Sequence, residues 1–257
     1  MSIALPTAPQ RKPARYGFPW KSTWLIGSPP KVGKSKFVEG LWRTSGKLVL
    51  HLDLEDSAED LDGCVHPIKA LADLRTVAAQ LRQACPYDAI AIDTLDQINA
   101  WCEEETCSEM GQKAMGESEG YGSDWARARG KVLDIINQFK MCGKLLLLIV
   151  HTKVEKGAFS GVNIAVPQGL GIALRGHSQV IGYIYAMERS GEVVRVISFT
   201  PSDSTIAGSR YAELNNRHIL IPLRDKDKDG KGWADWGGIM KLFGEEPQAA
   251  SSAASNK

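Results

Sequence analysis

The chain has 257 residues, 43% hydrophobic and 24% charged, enough for one large domain or two small ones and unlike a disordered chain. Lys and Arg total 31 against 30 Asp and Glu, so the net charge of +1 excludes a global attraction to nucleic acid or anionic lipid and leaves only local patches. The longest apolar run, Leu145–Val150, is far short of the roughly 20 residues that span a bilayer, so no membrane contact is expected.

In chain order, residues 1–16 carry three prolines and Arg11, Lys12 and Arg15, and read as a flexible basic arm without a secretory signal. Ser22–Ile26 predicts a strand, Lys34–Thr44 a helix after a Gly/Pro turn, and Lys47–Asp53 a second strand. Ile68–Ala84 has helical spacing (Ile68, Leu71, Leu74, Leu81), and Ala89–Ile92 is a short apolar strand. Asp124–Met141 predicts a helix with Val132, Ile135, Ile136 and Phe139 on one face. Leu145–Val150 is apolar at every position, as in a strand buried on both sides of a parallel sheet. Gly157 to Gly176 reads as a Gly-rich loop, followed by strands at Val180–Met187, Val193–Thr200 and His218–Pro222. The Ala- and Ser-rich residues 245–257 read as a disordered tail. Strands alternating with helices imply one α/β domain over 17–244, with a mostly parallel doubly wound sheet and a C-terminal β extension.

Five cysteines (Cys64, Cys85, Cys102, Cys107, Cys142) form no C-x-x-C pair, which fits reduced thiols and a cytoplasmic location. Asp225–Gly230 gives D-x-D-x-D-G, but Gly232 and Trp236 occupy calcium-loop positions eight and twelve; an alternating-charge turn is the better reading.

The strongest local signal is Gly27-Ser28-Pro29-Pro30-Lys31-Val32-Gly33-Lys34-Ser35, which matches G-x-x-x-x-G-K-[ST], with Lys36 next. Glycines let the backbone curl its N–H groups toward phosphate oxygens, and Lys34 supplies a mobile charge to the β- and γ-phosphates of a nucleotide. Ser35 offers a hard oxygen to Mg²⁺, and the following helix aims its positive end at the same anion. ATP and Mg²⁺ are the expected cofactors. Asp93, at the tip of the apolar strand before Thr94, is the expected second magnesium carboxylate.

A GTPase is disfavoured, because Asp93-Thr94-Leu95-Asp96 lacks the glycine of D-x-x-G. Leu48–Glu55 is a strand ending in an acidic pair, and a carboxylate there can act as general base toward water. Asp53 and Glu55 compete for that role. Leu145–Val150 runs into His151-Thr152-Lys153, which puts polar groups beside the γ-phosphate position; His151 can sense it or simply finish the strand.

This order of motifs resembles the RecA-type recombinase core. The run Gly120–Trp125 and Gly208-Ser209-Arg210-Tyr211 are similar to the minimal RecA-like ATPases of phage recombination modules, the shortened-RecA group of single-strand annealing proteins. The resemblance implies that Glu55 orients water and that His151 links nucleotide state to the segment Val154–Arg175. That segment would be a DNA-contacting loop using Lys153, Lys156, Phe159 and Arg175. It also implies that Arg210 reaches a neighbour's nucleotide within a ring or filament, although Gly208 replaces an expected lysine. Single-stranded DNA, further copies of the chain and a single-strand-binding protein are the implied partners, in the cytoplasm of a host cell if the chain is phage-encoded. Against DNA stands the acidic stretch Glu103-Glu104-Glu105, Glu109, Glu117 and Glu119, where a first DNA loop is expected. The rival reading is a nucleotide-dependent assembly protein that does not act on DNA; a P-loop kinase for a small substrate is a third, and against it this chain has no Arg-rich lid segment after the fourth strand.

Overall fold

Along Leu145–Val150 successive side chains enter opposite cores, Leu146, Leu148 and Val150 on one side and Leu145, Leu147 and Ile149 on the other. A strand sandwiched in this way must be central in a sheet covered on both faces. The computed structural model describes residues 17–58, 60–117, 120, 122–155, 161–202, 206–224 and 232–247. Its strands are β1 Thr23–Ser28, β2 Val49–Asp53, β3 Cys64–Pro67, β4 Ala89–Asp93, β5 Leu145–Glu155, β6 Gly161–Ile164, β7 Val180–Arg189 and β8 Glu192–Ser198, then the short β9 Gly208–Ser209, β10 His218–Leu220, β11 Leu223–Arg224 and β12 Trp233–Ala234. The helices are α1 Lys34–Ser45, α2 Leu71–Gln83, α3 Leu95–Met110, α4 Ser123–Lys140, α5 Gln168–His177 and α6 Gly237–Leu242.

The main sheet runs β10-β8-β7-β1-β5-β4-β2-β3. Pairings from β3 through β7 are parallel; β8 and β10 add the antiparallel extension. Helices α2 to α5 cover one face, with Leu74, Ile98, Val132, Ile136 and Leu174 buried there. The other face carries α1 and α6, with an aromatic cluster of Phe18, Trp24, Phe37, Phe199 and Trp236. Trp236 stacks on Phe37 at 4.2 Å, and its indole N–H donates to the Phe37 carbonyl at 2.7 Å. Gly40 lets β12 lie directly on α1: a Cβ there would fall inside the Ala234 carbonyl group. The C-terminal segment therefore clamps the helix that follows the phosphate-binding loop.

Three expectations change. Gly157–Gly176 is not one long loop: β5 continues to Glu155, β6 pairs back onto it, and α5 begins at Gln168. Buried Ile164, Val166, Leu170 and Leu174 anchor this segment, and Gly171 is the close contact that brings α5 onto Ile164. The acidic stretch 103–110 is not a loop either but the second half of α3. Two of its carboxylates are ion-paired: Glu105 accepts both terminal guanidinium nitrogens of Arg75, at 2.6 and 2.8 Å, and meets Lys131, while Glu109 meets Lys131 and Arg127. Glu245, counted with the tail by composition, accepts the backbone N–H of Phe18 at 2.8 Å. The arm 1–16, the charged turn 225–230, Lys156, Phe159 and Tyr121 lie outside the described residues. Among the described residues no helix is long and apolar enough to cross a membrane.

Candidate nucleotide site

The site forms where strands of a parallel sheet end and helices begin, the C-terminal rim at which open α/β folds bind ligands. Gly27 and Ser28 leave β1 beside Val150 and His151 of β5. Thr152 fills the space a Cβ on Gly27 would need, 2.9 Å away, so only glycine allows this approach. Lys31 and Gly33 take left-handed backbone conformations, with φ of 63° and 100°, and turn the loop into α1. The Ser28 hydroxyl is spent on the Pro29 carbonyl at 2.7 Å, whereas Pro30, Lys31, Gly33, Lys34, Ser35 and Lys36 line a cleft of about 460 Å³. Val32 is half-buried and packs against the core on the α1 face. Lys36 donates to Glu39 of its own helix at 2.9 Å and to the Asp60 carbonyl of the facing segment at 3.1 Å.

Glu55, Asp93 and His151 complete the cleft. The Ser35 hydroxyl donates to Asp93 Oδ2 at 2.7 Å, and His51 Nε2 lies 3.2 Å from the same oxygen. Burial alone would raise the Asp93 pKa, but the His51 hydrogen bond and charge, then Ser35 and Lys34, hold it below the ordinary value. Burial pushes the Lys34 ammonium below its usual pKa, partly countered by Asp93, Glu55 and Asp96. A hydroxyl and an ionised carboxylate this close are hard oxygen donors that suit Mg²⁺ with its water shell. The curled loop, with its buried lysine at a helix N-terminus, suits a polyphosphate.

Asp53 and Glu55 separate clearly in space. Asp53 is buried, and its carboxylate accepts the backbone N–H groups of Glu55 (3.2 Å), Ser57 (2.9 Å) and Ala58 (2.9 Å). It builds the turn; Glu55 stands on that turn facing the cleft, accepting the Thr94 hydroxyl at 2.7 Å. Asp93 and Thr94 are joined by a cis peptide. His151 Nδ1 lies 3.6 Å from Glu55 Oε1 and 3.3 Å from Asp96 Oδ2, which also accepts the His151 backbone N–H at 2.9 Å.

Residues 21–211 match a family described as AAA domain, most of the chain. The chain belongs to that AAA domain family. No curated protein matches it. Among solved structures it is similar to a KaiC-like protein from the hyperthermophilic archaeon Pyrococcus horikoshii OT3, with a TM-score of 0.50 and 14% identity over 80% of this chain and 88% of that one. At that identity the likeness is one of fold, and it agrees with the sheet described above. The protein is a RecA-like, AAA-type P-loop ATPase domain.

Other expected residues of this ATPase domain lie apart from the cleft. Gly208–Ser209 pair with the first residues of β7, which carries Arg210 to the opposite, N-terminal rim of the sheet. There its guanidinium donates to the Gly176 carbonyl at 3.0 Å, beside an open groove of about 800 Å³. Lys153 is exposed on β5 at the cleft end, while Arg175 is in the last turn of α5 and donates to Gly171. The two cations are thus on different elements, a strand end and the last turn of a helix, not on one loop.

Two residues of the site carry no motif. Asp96 is in the first turn of α3, three residues after Asp93, and that spacing is the only signal it leaves. Arg195 of β8 crosses to the phosphate-binding loop: its Nε donates to the Val32 carbonyl at 2.7 Å, and the side chain lies against Gly33. Nothing in the run Val193–Ile197 distinguishes this arginine from a surface one.

Proposed function

We propose that this domain binds Mg·ATP in the cleft, hydrolyses it slowly and couples its nucleotide state to single-stranded DNA, as a minimal phage-type recombination or single-strand annealing ATPase. The observation that carries the reading is the contact chain from Glu55 through His151 to Asp96. It ties the candidate catalytic carboxylate to β5, the strand that continues past the cleft into the β5–β6 hairpin.

Residues 27–36 would hold the phosphates, with Lys34 as the mobile cation and Ser35 and Asp93 as magnesium ligands. When bound, Mg²⁺ neutralises charge on the phosphate oxygens. Glu55, oriented by the Thr94 hydroxyl, takes a proton from water as the water oxygen bonds to the γ-phosphorus and the bond to the β–γ bridging oxygen breaks, releasing ADP and phosphate. His151, with Asp96 holding both its backbone and its ring, passes the change at Glu55 to the hairpin. Lys153, together with Lys156 and Phe159, would meet the DNA at the cleft end, with Arg175 at the far end of α5 left to a more distant phosphate, and a single-strand-binding protein would be a natural partner at the same strand. Arg210, exposed at the far rim of its own subunit, is available to a neighbour's nucleotide in a ring or filament in the cytoplasm.

The test is ATP hydrolysis with and without single-stranded DNA, at low salt, over a range of protein concentrations. Stimulation that rises steeply with concentration is expected for shared sites. ATP binding without any response to DNA would refute the DNA coupling and favour a nucleotide-dependent assembly protein, in keeping with the near-neutral charge.

A further inference from the structure

A second pocket, of about 170 Å³, opens at the same rim of the sheet between α3, α4 and the start of α5, lined by Asn99, Glu103, Trp125, Arg129, Pro167 and Leu170. Of the seven tryptophans only Trp125 is exposed, at 41%; Trp24 and Trp236 are fully buried. Aromatic rings this large are normally buried or occupied by a partner. Among the described residues no other ring packs on the Trp125 indole.

The rim is polar and incompletely paired. The Asn99 amide donates to Glu103 Oε1 at 2.7 Å, which leaves the amide oxygen and the second carboxylate oxygen as acceptors. On α4, Arg127 and Lys131 are taken by Glu109 and Glu105. Arg129 has no carboxylate partner among the described residues, and Gly169, which has no Cβ to block it, lets its guanidinium lie against the start of α5. The volume is below the roughly 300–1,000 Å³ that encloses a whole ligand. It suits one planar ring with its polar edge.

We infer that this pocket receives one unstacked base of a single-stranded nucleic acid, with Trp125 as the stacking surface, Asn99 and Glu103 at the base edge and Arg129 at the adjoining phosphate. The inference rests on the DNA reading above and adds a site that reading does not contain. A duplex, whose bases are stacked and paired, cannot present a base in this way, so the pocket selects single strands.

The test is fluorescence anisotropy of a labelled single-stranded oligonucleotide with the full chain and Mg·ATP, alongside ATP affinity. Trp125→Ala is expected to weaken DNA binding about five- to 150-fold, the span measured for loss of one base–aromatic stack. Trp125→Phe is expected to recover most of that, with ATP affinity unchanged in both. Intrinsic tryptophan emission should fall on adding DNA to the unaltered chain and not in Trp125→Phe. Should Trp125→Ala fail to fold, Arg129→Glu tests the same pocket and should lose DNA affinity at least fivefold. If the unaltered chain binds DNA and the Trp125 variants bind it within twofold, the pocket is not the base site and the broader reading survives. If the unaltered chain binds no single strand at all, both fall together.

Discussion

Arg195 braces the phosphate-binding loop from outside, and Arg195→Ala removes that brace without touching a residue of the cleft. The lost contact is a charged N–H donating to a neutral carbonyl at 2.7 Å. Hydrogen bonds of this type contribute about 1.5–3 kcal/mol. Arg195 is half-buried and water can reach the Val32 carbonyl once the side chain is gone, so the net loss should be about 1–2 kcal/mol. The loop then samples conformations in which Gly33 and Lys34 are misaligned for phosphate, and the cost appears in binding. At 1.4 kcal/mol per tenfold, the ATP Kd should rise about five- to 30-fold. Turnover at saturating ATP should change less than threefold, because Glu55 and its contacts with Thr94 and His151 are untouched. Arg195→Lys keeps one donor and should recover part of the affinity. Calorimetric titration of ATP and steady-state hydrolysis separate the two effects. A folded Arg195→Ala protein with unchanged Kd would show that the brace is idle; an unchanged Kd with collapsed turnover would mean that the arginine acts on the transition state instead.

Lys34→Ala should abolish tight ATP binding in a folded chain, and retained affinity would overturn the phosphate-loop assignment. Glu55→Gln should lower hydrolysis by about 10²–10⁴ while leaving ATP affinity and unfolding stability nearly unchanged. Asp53→Ala, by contrast, strips the acceptor from three backbone N–H groups and should cost about 1–3 kcal/mol in urea unfolding; the reverse pattern would exchange the roles of the two acids. Gly40→Ala drives a methyl into the Ala234 carbonyl and should destabilise the protein by about 3 kcal/mol, at the upper end of overpacking costs; a wild-type denaturation midpoint would mean that β12 does not rest on α1. Glu105, held by Arg75 and then Lys131, has its pKa lowered to about 2. Its folded value lies below the unfolded one, so its contribution is complete above about pH 4.5 and fades as pH falls toward 2. Because the pair is partly exposed, Glu105→Gln should cost only about 1 kcal/mol at pH 7, and that difference should shrink steadily through acid titration.

The P-loop was legible because its signature is local: nine consecutive residues carry the curl, the Lys34 cation and the Ser35 hydroxyl, and no distant partner defines them. Leu145–Val150 was legible as a central strand for a similar reason, since an unbroken apolar run is incompatible with a water-facing side. Glycine content misled over 157–176, where Gly171 serves close helix packing against Ile164 and not loop freedom. The acidic run at 103–110 looked repulsive to nucleic acid because its partners, Arg75, Arg127 and Lys131, belong to other helices.

What the order of residues could not decide is which side chains meet across the sheet. Asp93 and Thr94 reach the cleft beside Glu55 because β4 pairs with β2, and His151 joins them because β5 pairs with β4. Arg195 is 163 residues from Val32 in the chain and 2.7 Å from it in space. Periodicity reports which face of an element is buried but not which element lies alongside. The motif and the strand–helix alternation are therefore properties of the sequence, whereas the placing of Glu55 at the cleft and Asp53 under its turn, the Asp96–His151 contact and the Arg195 brace are products of sheet order and packing.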